Sequence, residues 1–290
     1  MTEPGRRRRL LAAFHAGLGR LDVRVMRRRT YDHLIRQREQ TAHELGAVRR
    51  RAATAEELLV ELERRGSLLR ALDHAPAAEA LRLYELKHSQ LGQELVAWAF
   101  AGCRRDGYFV DIGASDGVRF SNSLLLEREL GWRGILVEPA GCFHGALRAN
   151  RSTATIDTRA VSSRSGTTTF LEMPHPTLST IEADADVDHH VSKRRTGSRY
   201  PVETVSLDDL LDAHRAPTHI DYLSLDTAGS ELDILAAHDF NTRTIGVITC
   251  EHNFTLSRTA IMALLTDHGY ERVLERHSSF DDWYVLRGDR

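Results

Sequence analysis

Residues Tyr108–Glu127 read YFVDIGASDGVRFSNSLLLE. The apolar run from Tyr108 to Ile112 predicts a strand buried on both faces, and Gly113 and Gly117 mark a tight turn before a helical pattern resumes. In open α/β sheets a ligand lies beyond the carboxyl end of such a strand, against the turn that follows it. The stretch therefore predicts a strand-turn-helix unit built around a ligand.

Similar units follow along the chain. Their pattern predicts an α/β fold with a mostly parallel, three-layer sheet that closes in an antiparallel hairpin at one edge. The predicted elements are helix Leu91–Phe100, strand 108–114, helix Ser121–Leu130, strand Gly134–Glu138, helix Cys142–Asn150, strand Thr155–Val161, a hairpin-like Thr167–Leu171, the segment Val202–Leu211, strand Tyr222–Leu225, helix Ser230–Ala237, strand Ile245–Cys250, helix Thr259–His268 and strands Arg272–Arg276 and Trp283–Leu286.

Charge divides the 290-residue chain into two parts. Residues 1–76 contain 17 Arg, no Lys and 10 acidic residues, for a net charge of +7, whereas the remainder contains 22 basic and 31 acidic residues, for a net charge of −9. Pro76 and the alanines around it mark a plausible boundary. We therefore expect a basic helical extension over 1–76 and an acidic α/β domain over 77–290.

The extension offers two kinds of contact. Apolar residues between Leu34 and Leu69 recur at spacings of four and three, which predicts a coiled-coil-like helix that either pairs with a second copy in a homodimer or folds back on its own domain. The run Arg6–Arg9 precedes a short apolar stretch. It is interpreted either as an amphipathic helix in peripheral contact with anionic membrane lipid or as a solvated helix end, rather than as a secretory leader.

Composition indicates a cytoplasmic protein. No apolar run approaches the roughly 18 residues of a membrane helix, and Cys103, Cys142 and Cys250 form no CxxC pair and leave an odd count. The acidic body and the lack of aromatic residues among the arginines disfavour nucleic acid as a partner.

The turn and one carboxylate together predict the ligand class. The sequence GASDG lacks the further glycines of a dinucleotide-binding GxGxxG, so a pyrophosphate would find fewer backbone amides. Glu138 stands 25 residues after Gly113, at the end of the second predicted strand, where a carboxylate can accept hydrogen bonds from both ribose hydroxyls. A nucleoside without a required phosphate fits this pattern, and S-adenosylmethionine is such a ligand.

Several ordered motifs resemble one family. The stretch quoted above, then GWRGILVEPA, VSLDDLL, DYLSLDTAGSEL, ITCEHN, HGY and DDWYV, resembles the FkbM family of S-adenosylmethionine-dependent methyltransferases. SQLGQEL at Ser89–Leu95 is similar to the segment that precedes the family's first strand. The resemblance spans about 200 residues and leaves out the basic extension.

The resemblance implies a Rossmann-like, seven-stranded class I methyltransferase sheet and O-methylation of a hydroxyl on a sugar, glycolipid or secondary metabolite. It also assigns cofactor contacts by position. Asp111, Gly113 and Ser115 are expected at the methionine part, and Asn122 at its carboxylate. Glu138 is expected at the ribose, and Gln93 is expected to close over the cofactor.

Two further strand ends supply candidates for catalysis. A hydroxyl acceptor needs a proton acceptor, and His252, with an ordinary pKa of about 6.5, is the expected base, the alternative being a histidine that satisfies local hydrogen bonds. Asp226 is the second catalytic candidate. Asp226 and Glu251 could share a Mg²⁺ ion that binds the acceptor oxygens, or could hydrogen-bond the substrate directly.

One departure from the family pattern and one long charged segment complicate the interpretation. Ala228 stands where the family usually has Glu in an Asp-x-Glu-Gly motif, and this motivates an alternative function as a non-catalytic, cofactor-binding interaction protein recruited through the N-terminal helices. The charged segment from Pro174 to Arg199 is interpreted as a substrate lid. A metal site is the alternative there, drawn from His175, Asp184, Asp186, Asp188, His189 and His190.

Overall fold

A computed structural model describes residue 56 and residues 58–175, 179–184 and 197–288. The chain forms two compact units, Met1–Arg64 and Arg65–Arg290. In the first unit the described residues, 56 and 58–64, are helical. The predictions for the Arg-rich start, for the coiled coil before residue 56, and for the homodimer and membrane contacts lie outside the described residues.

The second unit begins before the boundary expected at Pro76. Its first helical residues, 65–71, carry Leu68, which is 1% exposed, and Leu72, also 1% exposed, follows directly after them. Both leucines belong to the same buried cluster as Leu95 and Trp98. The last part of the expected extension is thus core of the α/β unit, because these apolar side chains are removed from water there.

Among the residues the structure describes, the α/β unit contains eight further α-helices and eleven strands. The helices are α1 (Ala77–Glu85), α2 (Gln93–Phe100), α3 (Leu124–Leu130), α4 (His144–Asn150), α5 (Leu207–Ala213), α6 (Glu231–Ala237), α7 (Ser257–Asp267) and α8 (Glu275–Ser278). The strands are β1 (Tyr108–Ile112), β2 (Arg133–Val137), β3 (Thr155–Asp157), β4 (Ala160–Val161), β5 (Gly166–Glu172), β6 (Thr180–Ile181), β7 (Ser198–Val205), β8 (His219–Leu225), β9 (Thr244–Glu251), β10 (Tyr270–Val273) and β11 (Asp281–Leu286).

Seven strands form the main sheet in the order β10-β11-β9-β8-β1-β2-β3. All neighbours pair in parallel except β11, which is antiparallel to both β9 and β10. This arrangement is the class I methyltransferase sheet, and the antiparallel closing hairpin expected from the sequence is confirmed.

Alternate strand residues enter two different cores. Phe109, Leu136 and Tyr222 join one buried cluster, whereas their neighbours Val110 and Leu223 join the other. A strand buried on both faces has this period of two, because successive side chains point to opposite faces. The continuous apolar runs in the sequence follow from this double burial.

The register brings four strand ends to one edge. Ile112 of β1 pairs with Val137 of β2 and with Leu225 of β8, and Leu225 pairs with Cys250 of β9. The residues that follow these four positions therefore lie side by side at the carboxyl edge of the sheet: Gly113, Glu138, Asp226 and Glu251.

A second sheet, in the order β4-β7-β5-β6, was not expected. The predicted strand Thr155–Val161 is in fact two strands, and β3 belongs to the main sheet whereas β4 belongs to the second. The segment Val202–Leu211 likewise divides into the end of β7 and the start of α5. Arg272–Arg276 overlaps β10, which ends at Val273, and α8 begins at Glu275.

In the described part of the chain, no helix is long and apolar enough to cross a membrane. All three cysteines are free thiols.

Candidate active site

The backbone amides of the turn after β1 are already hydrogen-bonded within the protein. Gly113 and Ala114 both donate to the Val137 carbonyl oxygen, at 2.9 and 3.0 Å, and Ser115 donates to Glu138 Oε2 at 2.8 Å. The amides of residues 118 and 119 donate to one oxygen of the Asp116 side chain. A phosphate-binding loop needs amides that point at the ligand, so this turn suits a nucleoside whose recognition does not depend on phosphate.

Gly113 meets the neighbouring strand as well as the cavity. Its φ is +95°, and a Cβ at this position would sit 2.1 Å from the carbonyl oxygen of Asp226. Any side chain would therefore push β1 and β8 apart at their carboxyl ends. The glycine, which the sequence suggested was needed for close approach of a ligand, is also required by the contact between two strands.

Glu138 is held at the end of β2, where both of its carboxylate oxygens accept hydrogen bonds and each keeps a further lone pair. Oε2 accepts from the Ser115 amide and Oε1 accepts from the Ala140 amide, each at 2.8 Å. Burial raises the pKa of this carboxyl to about 7. A carboxylate offers about four acceptor positions, so Glu138 retains one on each oxygen for a pair of ribose hydroxyls.

Asp111 lies in a polar network beneath the turn. Its Oδ2 accepts from the Ser123 hydroxyl at 2.6 Å, and Asn122 Nδ2 donates to the Ser224 hydroxyl at 2.9 Å. Burial raises the pKa of Asp111. The network fixes both predicted contact residues, Asp111 and Asn122, against the cavity that they line.

A cavity of about 250 Å³ opens at this edge of the sheet. It brings together five of the six predicted cofactor contacts with both predicted metal ligands. Its lining includes Gln90, Asp111, Gly113, Ser115, Phe120, Asn122, Glu138, Ala160, Phe170, Ser179, Ile181, Asp226, Ala228 and Glu251.

The second sheet forms one wall of the cavity. Phe170 of β5 and Ile181 of β6 face it, and the Thr180 hydroxyl reaches the Thr227 and Ala228 carbonyl oxygens at 3.3 and 3.2 Å. These contacts join the second sheet to the turn that follows β8. The expected lid segment thus contributes to the site through its described part, although residues 176–178 and 185–196 lie outside it.

Asp226 and Glu251 form a hydrogen-bonded pair of carboxyl groups in the cavity. Asp226 is open to the cavity and yet closely surrounded by protein, and desolvation raises its pKa. Desolvation and the charge of Asp226 raise the pKa of Glu251 well above its ordinary range. Two adjacent carboxyls cannot both ionise easily, so the pair favours a state in which the two groups share one proton.

Residues 111–272 match the model of the methyltransferase FkbM domain, which is more than half of the chain. The chain belongs to the FkbM methyltransferase family. No curated protein matches the sequence significantly. Family membership implies S-adenosylmethionine as the methyl donor, and the site fits it, because the turn has no free amide cradle for phosphate whereas Glu138 keeps acceptor positions for a ribose.

The solved structures that resemble this FkbM domain are distant. A precorrin-6y C5,15-methyltransferase from Geobacter metallireducens has 15% identity and a TM-score of 0.37, covering 66% of this chain and 85% of that one. A human methyltransferase 10 domain containing protein has 12% identity and a TM-score of 0.35, with 67% and 80% covered. A TehB-like SAM-dependent methyltransferase from Corynebacterium glutamicum has 11% identity and a TM-score of 0.35, with 72% and 92% covered.

His252 of the FkbM domain is not placed to act as the base. The Phe254 amide donates to its Nδ1 at 2.9 Å, so Nε2 carries the proton and donates to the Asp281 carbonyl oxygen at 3.0 Å. Burial lowers the pKa of His252, and its side chain does not line the cavity. The structure does not bring His252 into the cavity, and its contacts match the alternative, a histidine that satisfies local hydrogen bonds.

Gln93 also does not line the cavity. Its Oε1 accepts from the Leu91 amide and its Nε2 donates to Asp281 Oδ2 at 2.7 Å. The residue that lines the cavity from this segment is Gln90. The structure thus places Gln90, three residues earlier, in the cavity lining and not the predicted Gln93.

Glu231 holds the turn that contains Ala228. Its carboxylate accepts from the Thr227 amide and hydroxyl, both at 2.8 Å, and from the Gly229 amide at 3.1 Å. Ala228 lies between them with φ +58° and lines the cavity. The turn after β8 is thus held by Glu231, while Ala228 leaves the cavity floor open.

The described residues contain no group of three or more His, Cys, Asp and Glu side chains arranged to hold a metal ion. Of the acids and histidines proposed in the lid, Asp186, Asp188, His189 and His190 lie outside the described residues. The Asp226–Glu251 pair stays the one predicted metal site whose two carboxylates the described structure brings together.

One positioning residue went unpredicted. Arg151, directly after α4, is completely buried, and its guanidinium donates to the Gly117 carbonyl oxygen and to the Ser121 and Ser123 hydroxyls, each at 3.1 Å. It also pairs with Glu127 at 2.7 Å. An arginine at a helix end looks solvent-exposed in sequence, and no pattern around it signals burial.

Proposed function

We propose that this chain is an S-adenosylmethionine-dependent O-methyltransferase that acts on a hydroxyl of a sugar, glycolipid or secondary metabolite. The observation that carries the proposal is the Asp226–Glu251 pair, which opens into the same cavity as Glu138 and the turn at Gly113. The site thus combines a nucleoside-binding half with a proton-accepting half.

The nucleoside-binding half positions the donor. Glu138 would hold the ribose hydroxyls, while Asp111 and Asn122, fixed by Ser123 and Ser224, would orient the methionine part. When bound, S-adenosylmethionine supplies a methyl group on a positively charged sulfonium. The surrounding carboxyl groups favour that charge, because desolvated carboxylates interact strongly with a cation.

The proton-accepting half suits a hydroxyl acceptor. Glu251 retains the proton of the pair, which leaves Asp226 as the ionised partner open to the cavity. A carboxylate whose pKa is raised towards neutrality is a stronger base than an ordinary one, and a positioned base typically contributes about 10²- to 10⁴-fold. Asp226 would accept the hydroxyl proton as the new carbon–oxygen bond forms.

Two substitutions test this assignment with donor binding as a separate readout. Asp226→Asn and Glu251→Gln should both keep S-adenosylmethionine binding within about threefold in calorimetric titration. Asp226→Asn should lower methyl transfer to a hydroxylated acceptor by at least about 100-fold, whereas Glu251→Gln, whose amide can still donate to Asp226, should lower it much less. Asp233→Asn, on the exposed face of α6, is the matched control. Methyl transfer that survives in Asp226→Asn would exclude Asp226 as the proton acceptor.

A divalent cation is the competing use of the same pair. Mg²⁺ held by Asp226, Glu251 and waters would bind the acceptor oxygens directly. Activity lost in chelator and restored by Mg²⁺ would favour this arrangement, and activity indifferent to chelator would exclude it.

Ala228 motivates the alternative function, that of an interaction protein that binds the cofactor but does not catalyse methyl transfer. The turn around this residue is intact and Glu231 holds it, so we favour catalysis. Cofactor binding without transfer to any hydroxylated acceptor would support the alternative. A cytoplasmic location, a homodimer through the N-terminal helices, peripheral membrane contact and no binding of nucleic acid remain part of the proposal.

A further inference from the structure

Two phenylalanines at the carboxyl edge of the sheet have unfavourable backbone conformations. Phe120 has φ +59° and is 44% exposed, and Phe254 has φ +58° and is 69% exposed. A positive φ is uncommon for a bulky side chain, and such residues cluster at functional sites. Burial does not explain either conformation, since both rings remain largely in contact with solvent.

Phe120 lies at the cavity, and Phe254 lies in the loop that follows the cavity residue Glu251. Phe120 lines the cavity directly, and Arg119 lies over its ring with the guanidinium carbon 4.6 Å from the centroid. Phe254 follows the cavity residue Glu251 by three positions, so their α-carbons lie at most about 11 Å apart. Both rings thus stand on segments that follow strands at the carboxyl edge of the sheet, where the cavity opens.

This loop is pinned in place while its apolar side chains point outwards. The His252 and Asn253 amides donate to the Phe280 carbonyl oxygen, at 2.9 and 3.1 Å. The Phe254 amide donates to His252 Nδ1, and the two rings meet edge to face at 5.4 Å. Leu256, two positions later, is 98% exposed.

We infer that Phe120, Phe254 and Leu256 form an apolar rim that binds the nonpolar part of the methyl acceptor, an alkyl or aryl group attached to the hydroxyl-bearing part. The inference rests on the proposed function. The occupant is amphipathic, because the cavity floor is lined with carboxyl groups whereas the rim beside it is hydrocarbon. His252 is then a positioning residue for the rim.

Alkyl glucosides of increasing chain length test the rim. The full-length protein, saturated with S-adenosylmethionine, would be titrated with the neutral fluorophore N-phenyl-1-naphthylamine, and methyl, hexyl and octyl β-glucosides would displace it below their micelle concentrations. Each added methylene should tighten displacement about two- to fourfold, as expected for burial of a CH₂ group.

Alanine substitutions of the rim residues test where the alkyl chain binds. Phe120→Ala, Phe254→Ala and Leu256→Ala should each weaken octyl glucoside at least about fivefold, because these side chains contribute apolar contact area. Phe254→Ala and Leu256→Ala, which lie outside the cavity lining, should also leave S-adenosylmethionine affinity unchanged. Leu81→Ala, at a 41% exposed apolar residue of α1 outside the cavity lining, should change neither.

The outcomes separate the two proposals. A wild-type protein that binds no S-adenosylmethionine overturns the proposed function. Donor binding without chain-length dependence, or with a dependence that all three rim variants retain, overturns the rim alone. Rim variants that lose binding to phosphatidylcholine vesicles while octyl glucoside displaces the fluorophore normally would assign the surface to a membrane and overturn its assignment to the acceptor.

Discussion

The Gly113 α-carbon packs against the Asp226 carbonyl oxygen, so close that a Cβ on the glycine would lie 2.1 Å from it. This contact, beside the hydrogen bond from the Asp226 amide to the Ile112 carbonyl oxygen at 3.0 Å, joins the turn proposed to bind the donor to the strand end that carries the proposed base. The proposed donor site and the proposed base are thus coupled through the packing of two backbones.

Gly113→Ala should break this coupling. The substitution combines a left-handed backbone conformation, costing about 1 to 2 kcal/mol for a residue with a side chain, with a clash that only strand movement can relieve. We expect a loss of more than about 3 kcal/mol in the free energy of unfolding, or no folded protein. Gly102→Ala is the matched control, since Gly102 has φ +72° and open space around it, and should lose only about 1 to 2 kcal/mol in urea unfolding.

Arg151→Ala should release the loop that carries the donor contacts. The substitution leaves Glu127 unpaired and removes three hydrogen bonds to the loop between β1 and α3, and loss of one partner from a buried ion pair typically costs about 3 to 5 kcal/mol. Arg148→Ala, on the exposed side of α4, should cost less than about 0.5 kcal/mol. Urea unfolding and donor titration measure both effects, and equal effects of the two variants would contradict the role of Arg151.

Glu138 should make donor binding depend on pH. Ribose hydroxyls donate to the ionised carboxylate, and burial places the pKa of Glu138 at about 7 in the free protein. Donor affinity should therefore weaken up to about tenfold per unit as the pH falls below about 7. Glu138→Gln should bind at least about tenfold more weakly at pH 8 and lose most of the pH dependence, while the exposed Glu203→Gln should behave as wild type in calorimetric titration.

The central sheet could be predicted from the sequence because it leaves a local signal. Strands buried on both faces produce continuous apolar runs, and Glu138 and Asp226 follow such runs directly, so their place at the carboxyl edge needed no knowledge of tertiary structure. The second sheet left a weaker signal. Its β4 has two residues and begins three positions after β3 ends, so the pair looked like one strand.

Side-chain direction at the ends of helices and strands was not predictable. His252 and Gln93 both stand where the family pattern places them, but neither side chain lines the cavity. His252 donates to the main-chain carbonyl oxygen of Asp281, and Gln93 donates to the Asp281 side chain. Partners so distant in sequence cannot be inferred from spacing. Apolar packing likewise decided the start of the domain, because Leu68 belongs to its core although no change in composition marks that boundary.

The Glu94 carboxyl group should make the free energy of unfolding decrease as the pH rises. It is completely buried; its Oε1 accepts from the amides of residues 88 and 89, and its pKa is raised to about 7, chiefly by desolvation. The folded state thus binds the proton more tightly than the unfolded state, whose pKa is about 4.3, and the stability it adds is lost between about pH 4.5 and 7. Glu94→Gln should be more stable than wild type at pH 8 by about 1 to 3 kcal/mol in urea unfolding, with little difference at pH 4.5. Equal slopes in both proteins would contradict this.

His252→Asn distinguishes a positioning histidine from a catalytic one. Because both ring nitrogens are hydrogen-bonded to the backbone, the variant should keep turnover within about tenfold and retain the acidic limb of the pH–rate profile, which we assign to the carboxyl pair. It should instead raise the KM of an acceptor with an octyl chain more than that of its methyl analogue, since Phe254 loses its support. If turnover instead fell by at least about 100-fold while KM stayed unchanged and the acidic limb disappeared, the role of base would return to His252.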